Sequence, residues 1–297
     1  MLDYMILLQK HSIRPSEKMH LQVGCDMSVY DVNGNEIAVD GNGTDYGKYI
    51  RSIAHRGYQT IAPENTIPAF KLAKQMGFDC CESDVRFTSD NVPVMIHNTS
   101  INSTARNADG TYITPVTNIA DITYEQALTY DFGIWKSTAY AGTKIPTFEQ
   151  FLALCKNICL HPYIELKTGT QAQIEGLVDI VHRYGMADCV TWASLNQTLL
   201  NYVAAYDAYA TLDWFTSALI NSDITYASSL LNGKRTVIIG TGLNDDDTIL
   251  QSAVNAGIVL ESGLISTTAQ ALALKAPMRG AMSNDIVVGK VLYEANI

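Results

Sequence analysis

The chain has 297 residues, enough for one large domain or two ordinary ones, and 47% of them are apolar against 17% charged. A sizeable core is within reach and a disordered polyelectrolyte is excluded. Twenty Lys and Arg against thirty Asp and Glu leave a formal net charge of −10. That balance argues against a nucleic-acid binder or a protein drawn to anionic membranes by long-range fields. A phosphate substrate remains compatible with it, because a bound divalent cation inverts the local field.

Residues 1–48 read as an extension separate from a domain over 49–297. Within the extension, 27–32 and 36–40 flank Asn33-Gly34-Asn35 and predict a β-hairpin around an Asn-Gly turn. Gly41-Asn42-Gly43-Thr44 marks a linker. From about residue 50 short apolar runs alternate with helix-length amphipathic segments. Strands are predicted at 52–55, 80–87, 92–97, 163–166, 189–192, 210–214, 236–239, 258–260 and 279–282. Helices are predicted at 66–76, 147–156, 171–184, 195–205, 246–256 and 267–274, with a further helix start in 121–129. Asn65 or Thr66 is the expected cap of the first helix. The stretch 216–231 matches no pattern well. This alternation predicts a parallel sheet of right-handed βα units, and about eight units over roughly 250 residues is the size of a TIM barrel. A doubly wound open sheet is the alternative, but no Gly-x-Gly-x-x-Gly follows the first strand.

Six cysteines at irregular spacing form no disulfide framework. Cys155, Cys159 and His161 have a zinc-like spacing, yet both cysteines fit the inner face of a helix and no fourth ligand stands nearby. The segment Tyr4-Met5-Ile6-Leu7-Leu8 is too short for a signal-peptide core, and no run approaches the ~20 apolar residues of a membrane span. The expectation is a soluble cytoplasmic protein, with secretion or virion association by another route as the alternative. Nothing in the sequence sets an oligomeric state.

Active groups of such a barrel sit at the C-terminal ends of strands. His55 and Arg56 close the first strand there. Glu82 and Asp84, two apart, share one face of the second. His97 follows the next apolar run, and Glu165 and Lys167 close the strand after that. Two acids on one buried face repel unless a cation lies between them. With Glu165 they make an all-oxygen site suited to Mg²⁺ or Ca²⁺ rather than zinc. His55 and His97 can serve as acid and base near neutral pH, and Arg56 and Lys167 offer fixed positive charge to a phosphate. The plainer reading is also physical. A lone histidine at a strand end is more often structural, Glu165 with Lys167 makes a simple salt bridge, and Glu82 and Asp84 can pair with Arg56, Arg86 or Lys167. Their joint occurrence at successive strand ends favours a site.

His55-Arg56-Gly57, Pro63-Glu64-Asn65-Thr66, Ala69-Phe70, Gly77-Phe78-Asp79 and Glu82-Ser83-Asp84-Val85 resemble the glycerophosphodiester phosphodiesterase signature. Val94-Met95-Ile96-His97, Asp131-Phe132-Gly133, Ile145-Pro146-Thr147-Phe148-Glu149 and Ile164-Glu165-Leu166-Lys167 continue it in order. The resemblance is dense over 51–167 and thin afterwards, with only 280–285 similar to the family's closing Gly-x-x-Thr-Asp. It implies a TIM barrel that hydrolyses small glycerophosphodiesters to an alcohol and glycerol phosphate with a divalent cation. By position, Glu82, Asp84 and Glu165 would be metal ligands, His55 and His97 the acid–base pair, and Arg56 and Lys167 the phosphate holders. Asn98 stands where the family has aspartate, and Glu261 where many relatives have tryptophan, so the resemblance implies an altered substrate preference. Two alternatives are a phosphodiesterase for polyglycerol phosphate of teichoic acid, in a secreted or phage-tail module, and a non-catalytic barrel that binds polyol phosphates.

Overall fold

The computed structural model describes residues 50–295 except 244 and 276, and within 1–49 only three two-residue strands. These are β1 (Gln22–Val23), β2 (Val29–Tyr30) and β3 (Glu36–Ile37), an antiparallel sheet in the order β1-β2-β3. β2 and β3 pair as the expected hairpin, with Val29 opposite Ile37 and Tyr30 opposite Glu36. Its Asn-Gly turn lies outside the described residues. β1 extends the hairpin on the far side of β2.

The main sheet begins with β4 (Arg51–Ala54), α1 (Ile67–Met76), β5 (Cys80–Phe87) and β6 (Pro93–Met95). A short α2 (Tyr124–Ala127) precedes α3 (Phe148–Ile158), β7 (His161–Leu166) and α4 (Gln171–Arg183). Then come β8 (Thr191–Ser194), α5 (Gln197–Tyr206), β9 (Thr211–Phe215) and α6 (Asn221–Leu230). The series ends with β10 (Val237–Thr241), α7 (Asp247–Asn255), β11 (Val259–Ile265), α8 (Thr268–Leu272), β12 (Met278–Ser283) and α9 (Val288–Glu294).

Eight strands pair in parallel in the order β4-β5-β7-β8-β9-β10-β11-β12, and β12 returns to β4 with Ser283 opposite Ala54. The sheet is a closed (β/α)8 barrel, as the βα alternation predicts. The strand expected at 92–97 is not one of the eight. It is the three-residue β6, antiparallel to the upper half of β5, with Val85 opposite Met95. The stretch 216–231 contains α6, whose start lacks the hydroxyl cap that makes other helices readable: Ile220 occupies the N-cap position.

The largest core lies between strands and helices, where Phe70, Phe151, Leu152, Ile164, Trp192 and Leu200 are buried. Ile53, Cys80, Tyr163 and Ala193 fill a smaller cluster of their own, with Phe215 and Met282 packed against it. A third cluster, including Ile101, Ile119, Phe132 and Ile145 beside Val94 and Ile96, gives the long connection after β6 an apolar core. Asp131 organises that connection through its carboxylate, which accepts the backbone N–H groups of Gly133, Ile134 and Gly142. Among the described residues no helix is long and apolar enough to cross a membrane.

Candidate active site at the barrel mouth

His55 follows β4 directly, and its backbone N–H donates to Ser283 O at 2.8 Å across the seam with β12. Arg56 then takes a left-handed backbone, φ +57°, and Gly57 follows at φ +79°. A Cβ on Gly57 would stand 2.7 Å from Ala69 Cβ, so only glycine lets the turn lie against α1. The turn brings the Arg56 N–H to Glu82 Oε2 at 2.8 Å.

Glu82, Asp84 and Glu165 come together as the strand spacing requires, because β5 and β7 pair with Asp84 opposite Glu165. They are 1%, 0% and 7% exposed, and one oxygen from each lies within 4.8 Å of the others. Lys167 Nζ sits 2.6 Å from Glu165 Oε1 and 3.1 Å from Asp84 Oδ1. The Arg56 guanidinium reaches Glu64 at 3.1 Å and Asp84 at 3.5 Å. The ion pairs of the plainer reading therefore exist for Asp84 and Glu165, while Glu82 accepts a backbone N–H instead and the Arg86 side chain donates to His97 O at 2.8 Å.

Those pairs leave the site unbalanced. Burial, then Asp84 and Glu165, push the Glu82 carboxyl well above its ordinary range. Glu165 is pushed up to about 7 by burial and by Asp84, against the pull of Lys167. Burial also opposes charge on Asp84, but Lys167 and Arg56 outweigh it and its carboxyl ends below the usual range. Glu82 Oε1 is buried with no hydrogen-bond partner among the described residues. A buried orphan carboxylate oxygen beside two further carboxylates fits a hard divalent cation, which takes oxygen ligands and would favour their ionised forms.

Both histidines are half-buried at the mouth. Burial, then Arg56, lowers His55 to about 4, and burial likewise lowers His97. Asp84 acts on both rings in the opposite sense. His97 Nδ1 lies 2.9 Å from Asn98 Oδ1, while Asn98 Nδ2 donates to Ser103 Oγ at 2.7 Å. The amide in place of a carboxylate thus keeps its orienting hydrogen bond and gives up the negative charge. The structure gathers every sequence-predicted site residue around this mouth, with His97 contributed by the loop after β6 rather than by a barrel strand.

Asn65 has a different role from the helix cap expected of it. Its Nδ2 donates to Asp84 Oδ2 at 2.8 Å, and its Oδ1 accepts from Ser83 Oγ at 2.6 Å and from Asp84 N at 3.2 Å. Thr66 occupies the N-cap position without a side-chain capping bond, and its hydroxyl donates to Pro63 O. Asn65 reaches these partners from a left-handed backbone, φ +56°, a region asparagine tolerates better than most residues.

Glu261 lies deeper, bonded to Arg51 and accepting from Tyr163 Oη at 2.9 Å. With Asp213, Phe215 and Met282 it lines a cavity of about 120 Å³. The zinc spacing brings no metal group together. Cys159 is the exposed, left-handed C-cap of α3 rather than part of its inner face, and His161 Nε2 is 3.0 Å from Thr191 Oγ1.

A sequence model of the Glycerophosphoryl diester phosphodiesterase family matches residues 55–184. A glycerophosphodiester phosphodiesterase of Caldanaerobacter subterraneus subsp. tengcongensis is 33% identical over 154 residues, covering 51% of this chain and 60% of that protein. The human glycerophosphodiester phosphodiesterase 1 is 33% identical over 130 residues, covering 43% and 37% respectively. The matches thus span less than two thirds of these relatives' length. Among solved structures, a glycerophosphodiester phosphodiesterase from Agrobacterium tumefaciens superposes with a TM-score of 0.66 at 20% identity, over 82% of this chain and 99% of its own. An Oleispira antarctica phosphodiesterase in complex with the product sn-glycerol-3-phosphate superposes with a TM-score of 0.72 at 21% identity, over 84% and 98%. These likenesses show the barrel. Residues 55–184 thus match the sequence model of the Glycerophosphoryl diester phosphodiesterase family, and the barrel that carries them has the fold of these solved phosphodiesterases.

Proposed function

We propose that the protein hydrolyses small glycerophosphodiesters to an alcohol and glycerol phosphate with the help of a divalent cation, Mg²⁺ or Ca²⁺. The observation that carries this reading is the convergence of Glu82, Asp84 and Glu165 with an orphan oxygen, two cationic side chains and two histidines at one barrel mouth. Glu82, Asp84 and Glu165 would hold the cation, which when bound supplies Lewis-acid polarisation of a non-bridging phosphate oxygen.

The chain's own groups then divide the work. Arg56 and Lys167 place positive charge beside the phosphate and compensate the charge that builds up during transfer. One histidine takes the proton of the glycerol hydroxyl next to the phosphate as that oxygen attacks phosphorus. The other gives a proton to the departing alcohol oxygen as its bond to phosphorus breaks. The product is a cyclic glycerol phosphate, which water opens with the two roles exchanged. In the free protein burial favours neutral rings at both positions. The anionic diester favours the protonated form of one of them on binding.

The test is hydrolysis of bis-p-nitrophenyl phosphate and glycerophosphocholine. Activity should vanish with EDTA and return with Mg²⁺ or Ca²⁺, and His55→Ala and His97→Ala should each lose about 10²–10⁴-fold in kcat. Full activity in EDTA, or in both histidine variants, would sink the mechanism. Turnover of polyglycerol phosphate without turnover of glycerophosphocholine would move the substrate to the cell-wall polymer. A barrel that only binds would show neither activity.

A further inference from the structure

The environment of His55 Nδ1 points beyond the groups assigned so far. That atom lies 2.9 Å from Asn284 Oδ1. Gln59 Nε2 lies 2.7 Å from the same oxygen, 3.1 Å from His55 O and 2.8 Å from His55 Nδ1. One arrangement of protons satisfies three of these four contacts. The Gln59 amide nitrogen carries two hydrogens and no accepting lone pair, so they go to Asn284 Oδ1 and to His55 O. The second lone pair of Asn284 Oδ1 then receives a proton from His55 Nδ1.

Its one conflict is the Gln59 nitrogen 2.8 Å from Nδ1, and the other arrangements satisfy fewer of the four contacts. A bare Nδ1 would set a ring lone pair against a carbonyl oxygen at 2.9 Å. Turning the Asn284 amide over would set its NH₂ against that of Gln59 at 2.7 Å, donor against donor. The backbone makes the cluster rigid. His55 N donates to Ser283 O, and Ser283 Oγ accepts from Asp285 N at 3.2 Å and Ile286 N at 2.8 Å. The three side chains therefore straddle the β4–β12 seam that closes the barrel.

We propose that Asn284 and Gln59 are positioning residues that hold His55 as the Nδ1–H tautomer and so leave Nε2 as its proton-exchanging atom. Neither residue takes a proton in the reaction; both act through the ring. The assignment rests on the two-histidine reading of the site, and it extends to His55 the arrangement that Asn98 and Ser103 make at His97. The charged and titratable groups that act on His55 are Arg56, Asp84 and His97. None of them bonds to Nδ1, so the tautomer is set by the two amides.

The test combines nitrogen NMR of histidine-labelled full-length protein with steady-state kinetics on glycerophosphocholine. Wild type should show His55 protonated on Nδ1 and bare on Nε2. Asn284→Leu, similar in size but without an acceptor, should give a mixture of tautomers. Its kcat should fall about tenfold to a hundredfold with KM unchanged, a share of the ~10²–10⁴ a positioned acid or base supplies. Asn284→Asp restores the acceptor, and should recover the tautomer and most of the kcat lost in the leucine variant. Gln59→Leu should move both readouts in the same direction by less, and it serves if Asn284→Leu does not fold. The proposal is overturned if wild-type His55 carries its proton on Nε2, or if Asn284→Leu, or Gln59→Leu in its place, keeps both tautomer and kcat. A wild-type protein with no phosphodiesterase activity would overturn the functional reading instead, and the NMR arm would still decide the clamp.

Discussion

His161 begins one barrel strand and His55 follows the end of another, and the difference sets their chemistry. His161 opens β7 at the closed end of the barrel, 5% exposed, with Nε2 at Thr191 and Nδ1 without a hydrogen-bond partner among the described residues. Burial, then the nearby Arg51, holds its pKa well below the ordinary value of 6.5. A histidine depressed in this way contributes stability that is fully present above the unfolded-state pKa and is lost as pH falls through the window below it. One pH unit below about 6.5 costs about 1.4 kcal/mol. His161→Gln keeps a polar group facing Thr191 and removes the titration. Between pH 7.5 and 5.5 wild type should therefore lose about 1.4 kcal/mol more stability than the variant, read from urea unfolding at both pH values. Equal losses would show that His161 carries no such penalty. Position at the end of an apolar run marked His55 and His97 as candidates in the sequence, and spacing did the same for Glu82, Asp84 and Glu165. What the sequence hid were amides. Asn65, Asn284 and Gln59 act through geometry, and an amide has no charge pattern to betray it.

Helix starts obey a rule visible in the letters alone. Thr123, Thr147, Thr170 and Thr267 each accept from the N–H of a glutamine three residues on, and that glutamine's side chain reaches back to the threonine N–H. This is the reciprocal capping box, written here as Thr-x-x-Gln. It explains why the expected starts of α3, α4 and α8 fall within a residue of the observed ones, and why α6, with Ile220 at its cap, matched no pattern. α3 also carries one side of the aromatic contact between Phe70 and Phe151, with centroids 4.6 Å apart, so its first turn supports the layer behind β5 and β7. Thr147→Ala should cost about 1 kcal/mol of unfolding free energy, within the ~0.5–2 kcal/mol seen for such caps, and leave KM unchanged. A stability change near zero in chemical denaturation would mean that packing alone fixes the start of α3. At β6 the expected strand is present but shorter than 92–97, and its direction was not legible. Its apolar run has strand composition, but composition is blind to direction, and an antiparallel arm on β5 uses the same residues as a barrel strand would.

At the scale of the molecule, closure is what makes the site. β4 is held on one side by β5 and on the other by β12, so the first and last strands of the barrel meet beside His55. α9 adds to the seam, where Gly289 N donates to Ser52 Oγ at 2.9 Å. Every pairing that closes the ring, and every site contact named above, lies within residues 51–289. The alternation of strand and helix made the barrel legible. Its closing pair was not, because residues 51–54 and 278–283 are separated by the whole domain and carry no sign of each other. We propose from this a division of the chain in which the barrel folds and works without residues 1–48. A fragment of residues 49–297 should then unfold within a few degrees of the full chain and hydrolyse bis-p-nitrophenyl phosphate with the same kcat/KM. A fragment that folds but loses activity toward polyglycerol phosphate alone would make the β1–β3 sheet a substrate-recruiting element. A fragment whose unfolding temperature drops by about 10 °C or more would place the extension inside the cooperative unit, since 1 kcal/mol shifts Tm by roughly 2–4 °C in a domain of this size.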